Sequence, residues 1–305
     1  MVREIYAAQV ALLVRLLPFI AQEEVFALKG GTAINLFYRD MPRLSVDIDL
    51  TYLPVRDRAE SLADINETLD RIMTAANRGI VGLDARRIEG GGGGATRIRA
   101  RLKGAEVKIE TSPVTRGVVH DPEKRSVSAA VEDEFGYAAT QVVSFEDLFA
   151  GKLHAAVDRQ HPRDLFDVKL LYENEGFTDA LFRTFLVYVA SSPRPAHELL
   201  APSLGVLDEP YAREFVGMTT IPITLEDLAE TRAQLLADIR ARLDANILRF
   251  LTTLHNGAPD FDIIGLPQAA SLPAVRWKVL NLQKLSDENP DKHKAHKEEL
   301  EKLFS

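Results

Sequence analysis

The sequence predicts an α+β protein, with a domain of strands and helices over residues 1–140 followed by a helical domain over 141–305. Three observations predict it. Apolar and polar residues alternate with period two in several stretches between residues 45 and 111, the pattern of half-buried strands. Helical spacing separates these strands in the first half. Beyond about residue 143, almost every ordered stretch has helical spacing.

Residues 1–17 predict an opening helix, and 24–28 a short buried strand. Lys29, Gly30 and Gly31 then predict a turn, and Thr32 to Tyr38 a helix. From Ser45 to Leu53, Val46, Ile48 and Leu50 alternate with Asp47, Asp49 and Thr51, which predicts a strand. Arg56 to Arg78 carries Leu62, Ile65, Leu69, Ile72 and Met73 on one helical face. Residues 83–89, 95–102 and 105–111 predict three successive strands. The run Gly90–Gly94 joins the first two, as a mobile hairpin loop, and Lys103-Gly104 joins the last two. Helices are predicted over 144–157, 163–174, 178–190, 224–254, 271–285 and 290–303. Proline-containing stretches near 193–202, 210–222 and 258–267 read as connecting loops.

Composition narrows the chemistry. The 305 residues include 46% hydrophobic and 27% charged positions, ordinary for a globular protein with a sizeable core. There is no cysteine, which removes disulfides, thiolate metal sites and cysteine nucleophiles and fits a cytoplasmic setting. The apolar run Val10 to Ile20 is broken by Arg15 and Pro18, so no membrane span is expected. A net charge of −8 argues against a general nucleic-acid binder but leaves room for a local basic face.

The chemistry concentrates in Lys29-Gly30-Gly31-Thr32 and Asp47-Ile48-Asp49. A strand ending in two glycines before a helix presents unpaired N–H groups, and phosphate is drawn to them. The Thr32 hydroxyl can add a hydrogen bond. Asp47 and Asp49 lie two apart on a predicted strand and so share one face. Adjacent carboxylates repel unless a cation lies between them, and oxygen ligands of this kind suit Mg²⁺ or Mn²⁺. Val107-Lys108-Ile109-Glu110 offers Glu110 as a third metal ligand, and Glu110 or Asp49 as general base.

These residues resemble the signature of the nucleotidyltransferase superfamily related to DNA polymerase β. The wider string from Lys29 through Arg43-Leu-Ser-Val-Asp-Ile-Asp-Leu50 resembles its AbiEii/AbiGii toxin branch. Phe145 to Asp167 and Arg276-Trp277-Lys278-Val-Leu-Asn-Leu extend the resemblance over most of the chain. It implies a polymerase-β-like domain with a mixed sheet and a helical domain that completes the NTP site and binds the acceptor. It also implies Lys152 near the nucleotide phosphates, with Arg159, Asp164 and Asp167 helping to build the site. The expected catalytic set is then Asp47, Asp49, Glu110, Lys152 and Asp167. The expected nucleotide-binding set is Lys29, Gly30, Gly31, Thr32, Ser45, Lys152, Arg159 and Asp164. Without the resemblance, Lys152 and Arg159 read as site residues or, equally well, as a solvated helix face or salt-bridge partners of Asp158, Asp164 and Asp167.

The implied activity transfers a nucleoside monophosphate from an NTP to the 3′ end of tRNA with release of pyrophosphate, in a toxin partnered by an antitoxin. A protein or small-molecule acceptor is the first alternative. A non-enzymatic module that binds nucleotide or a partner is the second. Other features read as structural. Arg97, Arg99 and Arg101 alternate along an exposed strand face that is also suited to a triphosphate or RNA backbone. Trp277 reads as core, and His255, His293 and His296 show no partner in the sequence.

Overall fold

A computed structural model describes residues 2–90 and 94–304. The chain divides into two compact units, Met1–Ser144 with Thr219–Ile221, and Phe145–Met218 with Pro222–Ser305.

The first unit runs α1 (Val2–Ile20), β1 (Phe26–Lys29), α2 (Gly30–Ala33), β2 (Ile48–Tyr52), α3 (Arg58–Gly79), β3 (Asp84–Gly90), β4 (Gly94–Leu102), β5 (Ala105–Thr111), β6 (Glu123–Ser126), α4 (Ala129–Phe135) and β7 (Ala139–Val142). Its seven strands form one mixed sheet in the order β3-β4-β5-β2-β1-β7-β6. β2 runs parallel to β5, and β1 parallel to β7; the other pairs are antiparallel. The core-facing row includes Leu28, Ile48, Leu50, Ile98 and Ile109, each completely or almost completely buried. α1 and α3 pack on the sheet. The Tyr52 hydroxyl donates to Asp64 of α3 at 2.6 Å, which fixes that helix over the even-numbered side of β2. The odd-numbered side is thereby left for Asp49.

Several local expectations need correction. Gly30 and Gly31 are not a turn: the helix begins at Gly30 and widens into a π-helical stretch over Ile34–Tyr38. β2 starts at Ile48, so Asp47 is an exposed residue one position before the strand. Alternation also fails at its far end, where Thr51 and Tyr52 are both buried because neighbouring elements cover both faces. The sequence reading placed nothing between 112 and 143, where β6, α4 and β7 lie. These pieces are too short to carry a periodic signal. Gly91–Gly93, the middle of the glycine run, lie outside the described residues.

The second unit contains α5 (Phe145–Asp158), α6 (Pro162–Asn174), α7 (Asp179–Ala190), α8 (Ala196–Leu200), α9 (Asp208–Glu214), α10 (Leu225–Ala241), α11 (Ala245–His255), α12 (Pro273–Glu288) and α13 (Pro290–Lys302). Its core is aromatic, with Phe149, Phe166, Phe185 and Phe250 fully buried. The helix expected over 224–254 is two helices. Asp244 caps the second by accepting from the Ile247 N–H at 2.9 Å, so the chain restarts there. α8 and α9 occupy stretches expected to be loops.

Trp277 is not core. The buried stripe of α12 is Ala274, Val275, Lys278 and Leu282, and Trp277 falls outside it, 55% exposed. The histidines do have partners. His255 and His293 stack with ring centroids 3.9 Å apart, and His197 and His296 lie 5.3 Å apart. Among the described residues no helix is long and apolar enough to cross a membrane.

Candidate active site

The strand pairing of the first unit lines up four charged residues. Lys29 of β1 is in register with Asp49 of β2, Asp49 with Glu110 of β5, and Glu110 with Arg97 of β4. Partners in register on neighbouring strands point to the same face. The result is one row, positive–negative–negative–positive, across four adjacent strands. All four line a cleft of about 260 Å³, together with Thr96 and Ser112.

Each charge in the row is conditioned by its neighbour. Burial pushes the Lys29 amine below the ordinary lysine range, and Asp49 pulls it back up. Arg97 Nε lies 3.2 Å from Glu110 Oε1. Nothing in the spacing of the sequence connects Arg97 with Glu110; only the β4–β5 register does.

The glycines are needed for packing around the carboxylate. Gly30 has φ +75°, a conformation side chains resist, and a Cβ there would lie 2.6 Å from Asp49 Oδ2. A Cβ on Gly31 would lie 2.5 Å from Arg43 Nη2 and 2.8 Å from Ser45 Oγ. The N-cap residue Lys29 makes no side-chain hydrogen bond to the start of α2, and the Asp49 carboxylate packs against Gly30 there; the first N–H groups of a helix attract anions.

Thr32 is completely buried, and its hydroxyl donates to the Asp47 carbonyl at 2.5 Å while contacting Ser45 Oγ at 3.1 Å. In this structure it fastens the approach to β2. Asn35, which the sequence reading passed over, does related work. Its amide donates to the Gly31 carbonyl at 2.8 Å, and its oxygen accepts from the Arg43 N–H at 3.2 Å. Arg43 is also new to the site; it is buried and donates to the Leu44 carbonyl at 2.9 Å. The segment Thr219–Ile221 backs this loop, with Thr220 N–H donating to the Pro42 carbonyl at 2.9 Å. The available signal for Asn35 was only its place four residues after Gly31, in a predicted helix.

The donor set suits a hard divalent cation. Asp49 and Glu110 adjoin on one face, and Asp47 lies two residues before Asp49, just ahead of β2. Among the described residues, no three acidic or histidine side chains converge as a ready cage. Mg²⁺ is a cation that one or two carboxylates hold in company with substrate phosphates and water. Asp49 and Glu110, with Asp47, are the residues that would hold it.

The second unit brings together the other expected residues. Lys152 Nζ lies 2.8 Å from Asp164 Oδ1 and 2.9 Å from Asp167 Oδ2. Arg159 Nε donates to Asp164 Oδ2 at 2.6 Å, with a second bond from Nη2 to Oδ1 at 3.0 Å. Both aspartates are fully buried. Burial alone would raise the Asp164 carboxyl, but Lys152 and Arg159 overcome it and hold it far below the usual range. Asp158 belongs elsewhere, paired with Arg194 at 3.0 Å. His161 is a helix cap, its Nδ1 accepting from the Arg163 N–H at 3.1 Å.

Comparison with known proteins bears on the family and the fold. The family model described as nucleotidyl transferase AbiEii toxin, type IV TA system, matches residues 11–279. The structure is similar to that of MenT4, a nucleotidyltransferase toxin from Mycobacterium tuberculosis H37Rv. The two share 17% identity and a TM-score of 0.61, over 92% of this chain and 93% of that one, a likeness of fold. No curated protein matches the sequence.

Proposed function

The chain belongs to the AbiEii nucleotidyltransferase toxin family, and from that premise we propose that it transfers a nucleoside monophosphate from an NTP to the 3′ end of tRNA. The observation that carries the chemistry is the Asp49–Glu110 pair, in register on parallel strands and lining one cleft. In the reaction, the acceptor hydroxyl oxygen bonds to the α-phosphorus, the bond to the bridging oxygen breaks, and pyrophosphate leaves. Asp49 or Glu110 takes the hydroxyl proton. Lys29 and the first N–H groups of α2 offset triphosphate charge. Ser45 and Thr32 keep the Asp47–Asp49 segment against the glycines. Mg²⁺ or Mn²⁺, when bound, supplies charge neutralisation and acidifies the attacking hydroxyl.

Family membership implies an NTP substrate and an antitoxin partner. For the acceptor, the helical unit offers exposed Trp277 beside exposed Arg276, with Lys284 on the same helix. An exposed aromatic ring on a helix that also exposes cations is suited to an unstacked base and its phosphate. We place the reaction in the cytoplasm, where NTPs and tRNA meet.

The test is incubation with each α-labelled NTP, Mg²⁺ and total tRNA, beside an Asp47→Ala/Asp49→Ala control. Label on tRNA that disappears in the control supports the reading and names the base. Label on protein or a small molecule keeps the chemistry and replaces the acceptor. Absence of transfer to any acceptor, with nucleotide still bound, favours a binding module.

A further inference from the structure

The charged row across β4, β5, β2 and β1 contains a contact that the proposed reaction does not use. Arg97 holds Glu110 at 3.2 Å, inside the same cleft that contains Asp49 and Lys29. Two carboxylates on adjacent strands repel, and opposite charges at each end of the row relieve that repulsion. Lys29 does so for Asp49, and Arg97 for Glu110. A divalent cation at the carboxylates would make Arg97 surplus there, because like charges at close range in a partly desolvated cleft repel strongly. A triphosphate arriving with the cation brings new anionic oxygens into the same cleft, which a guanidinium can bind through paired N–H donors.

We propose that Arg97 is an exchangeable counter-ion: it occupies Glu110 while the cleft lacks a divalent cation, and it passes to the triphosphate when metal and nucleotide enter. No covalent bond changes in this exchange. Arg97 acts as a positioning and substrate-binding residue, and its contact with Glu110 keeps the carboxylate disengaged until both ligands are present. The inference rests on the reading of Asp49 and Glu110 as cation ligands. The geometry favours an exchange over a permanent pair. Arg97 is 41% exposed and Glu110 30% exposed at the side chain, so neither is locked by burial. The fully buried carboxylates Asp164 and Asp167, held by Lys152, lack that freedom.

The experiment measures Mn²⁺ binding to nucleotide-free protein by electron paramagnetic resonance titration, and KM and kcat for the NTP, in wild type, Arg97→Gln and Arg97→Lys. Arg97→Gln is expected to bind Mn²⁺ severalfold more tightly without nucleotide, because its competitor is gone. It is also expected to raise KM for the NTP severalfold, because a phosphate ligand is gone. Arg97→Lys should restore both in part. In a Glu110→Gln background, Arg97→Gln should no longer tighten Mn²⁺ binding, since the two effects run through one contact. Unchanged or weaker Mn²⁺ binding by folded Arg97→Gln would overturn the exchange. Wild-type protein that binds Mn²⁺ no better than Asp49→Ala would overturn the cation reading itself, and this inference with it.

Discussion

Gly30 and Asp49 are packed so closely that a methyl group on the glycine would meet the carboxylate oxygen at 2.6 Å. The glycine also holds φ +75°. Gly30→Ala therefore adds backbone strain of about 1–3 kcal/mol and pushes Asp49 out of the charged row. We expect a lower melting temperature and a loss of nucleotidyl transfer larger than the stability loss explains. Full activity in a folded Gly30→Ala protein, compared by thermal melting and label transfer, would show that Asp49 does not need its observed place.

Asp49→Asn keeps the shape of the side chain and removes its charge. Transfer should fall by at least about a hundredfold, the upper range even for partners outside a metal's own ligands. Relief of repulsion toward Glu110 is opposed by loss of the counter-charge to the Lys29 amine, so the melting temperature should change little compared with the rate. Steady-state rates and melting curves on one preparation check both parts.

Lys152 neutralises two buried carboxylates at once. Lys152→Met leaves Asp164 to Arg159 and removes the amine that pairs Asp167 at 2.9 Å. Breaking one side of a buried pair costs about 3–5 kcal/mol, which denaturant unfolding can measure. A loss near zero would mean that the network is not structural and that its lysine is retained for chemistry.

The histidine cluster makes stability depend on pH. Burial, and then the nearby His293 and His296, depress His255 to about 4, below the ordinary histidine value; burial also lowers His197 and His296. Between pH 6.5 and 4 the unfolded chain takes up protons that the native cluster refuses, so stability falls as the solution is acidified through that window. Melting temperature should drop from pH 7 to pH 5, and His255→Phe should flatten the drop. A melting temperature that rises on acidification would contradict a buried His255 that resists protonation.

Trp277 is the chain's single tryptophan, so intrinsic tryptophan emission reports on that side chain alone. If it receives an acceptor base, tRNA should quench the emission, and Trp277→Ala should weaken tRNA binding by about 1–3 kcal/mol while leaving nucleotide binding intact. Emission indifferent to saturating tRNA would remove Trp277 from the acceptor surface.

Much was legible in the sequence because it is local. The period-two stretches at 83–111 correspond to β3, β4 and β5, and the helical spacing of 56–78 to α3. Side-chain alternation is a property of neighbouring residues, so it can be read without knowing what they pack against. The glycine pair and the two aspartates were legible for the same reason. The resemblance to a toxin branch also came from linear strings, and the family match over 11–279 agrees with it.

Tertiary structure decided what depends on partners distant in the chain. β7 joins β1 only through sheet pairing, and no local pattern in 139–142 announces it. Trp277 was assigned to the core from apolar spacing, but packing selected the Ala274, Val275, Lys278 and Leu282 stripe instead. Gly30 looked like an opening for phosphate, and the fold places the Asp49 carboxylate against it. Above all, the row Lys29–Asp49–Glu110–Arg97 draws on four strands whose sequence order is not their spatial order. The chain supplied each charge by itself. Only strand register, which is set by burial of the opposite face, decided that the two acids would be neighbours and that a cation would stand at either end.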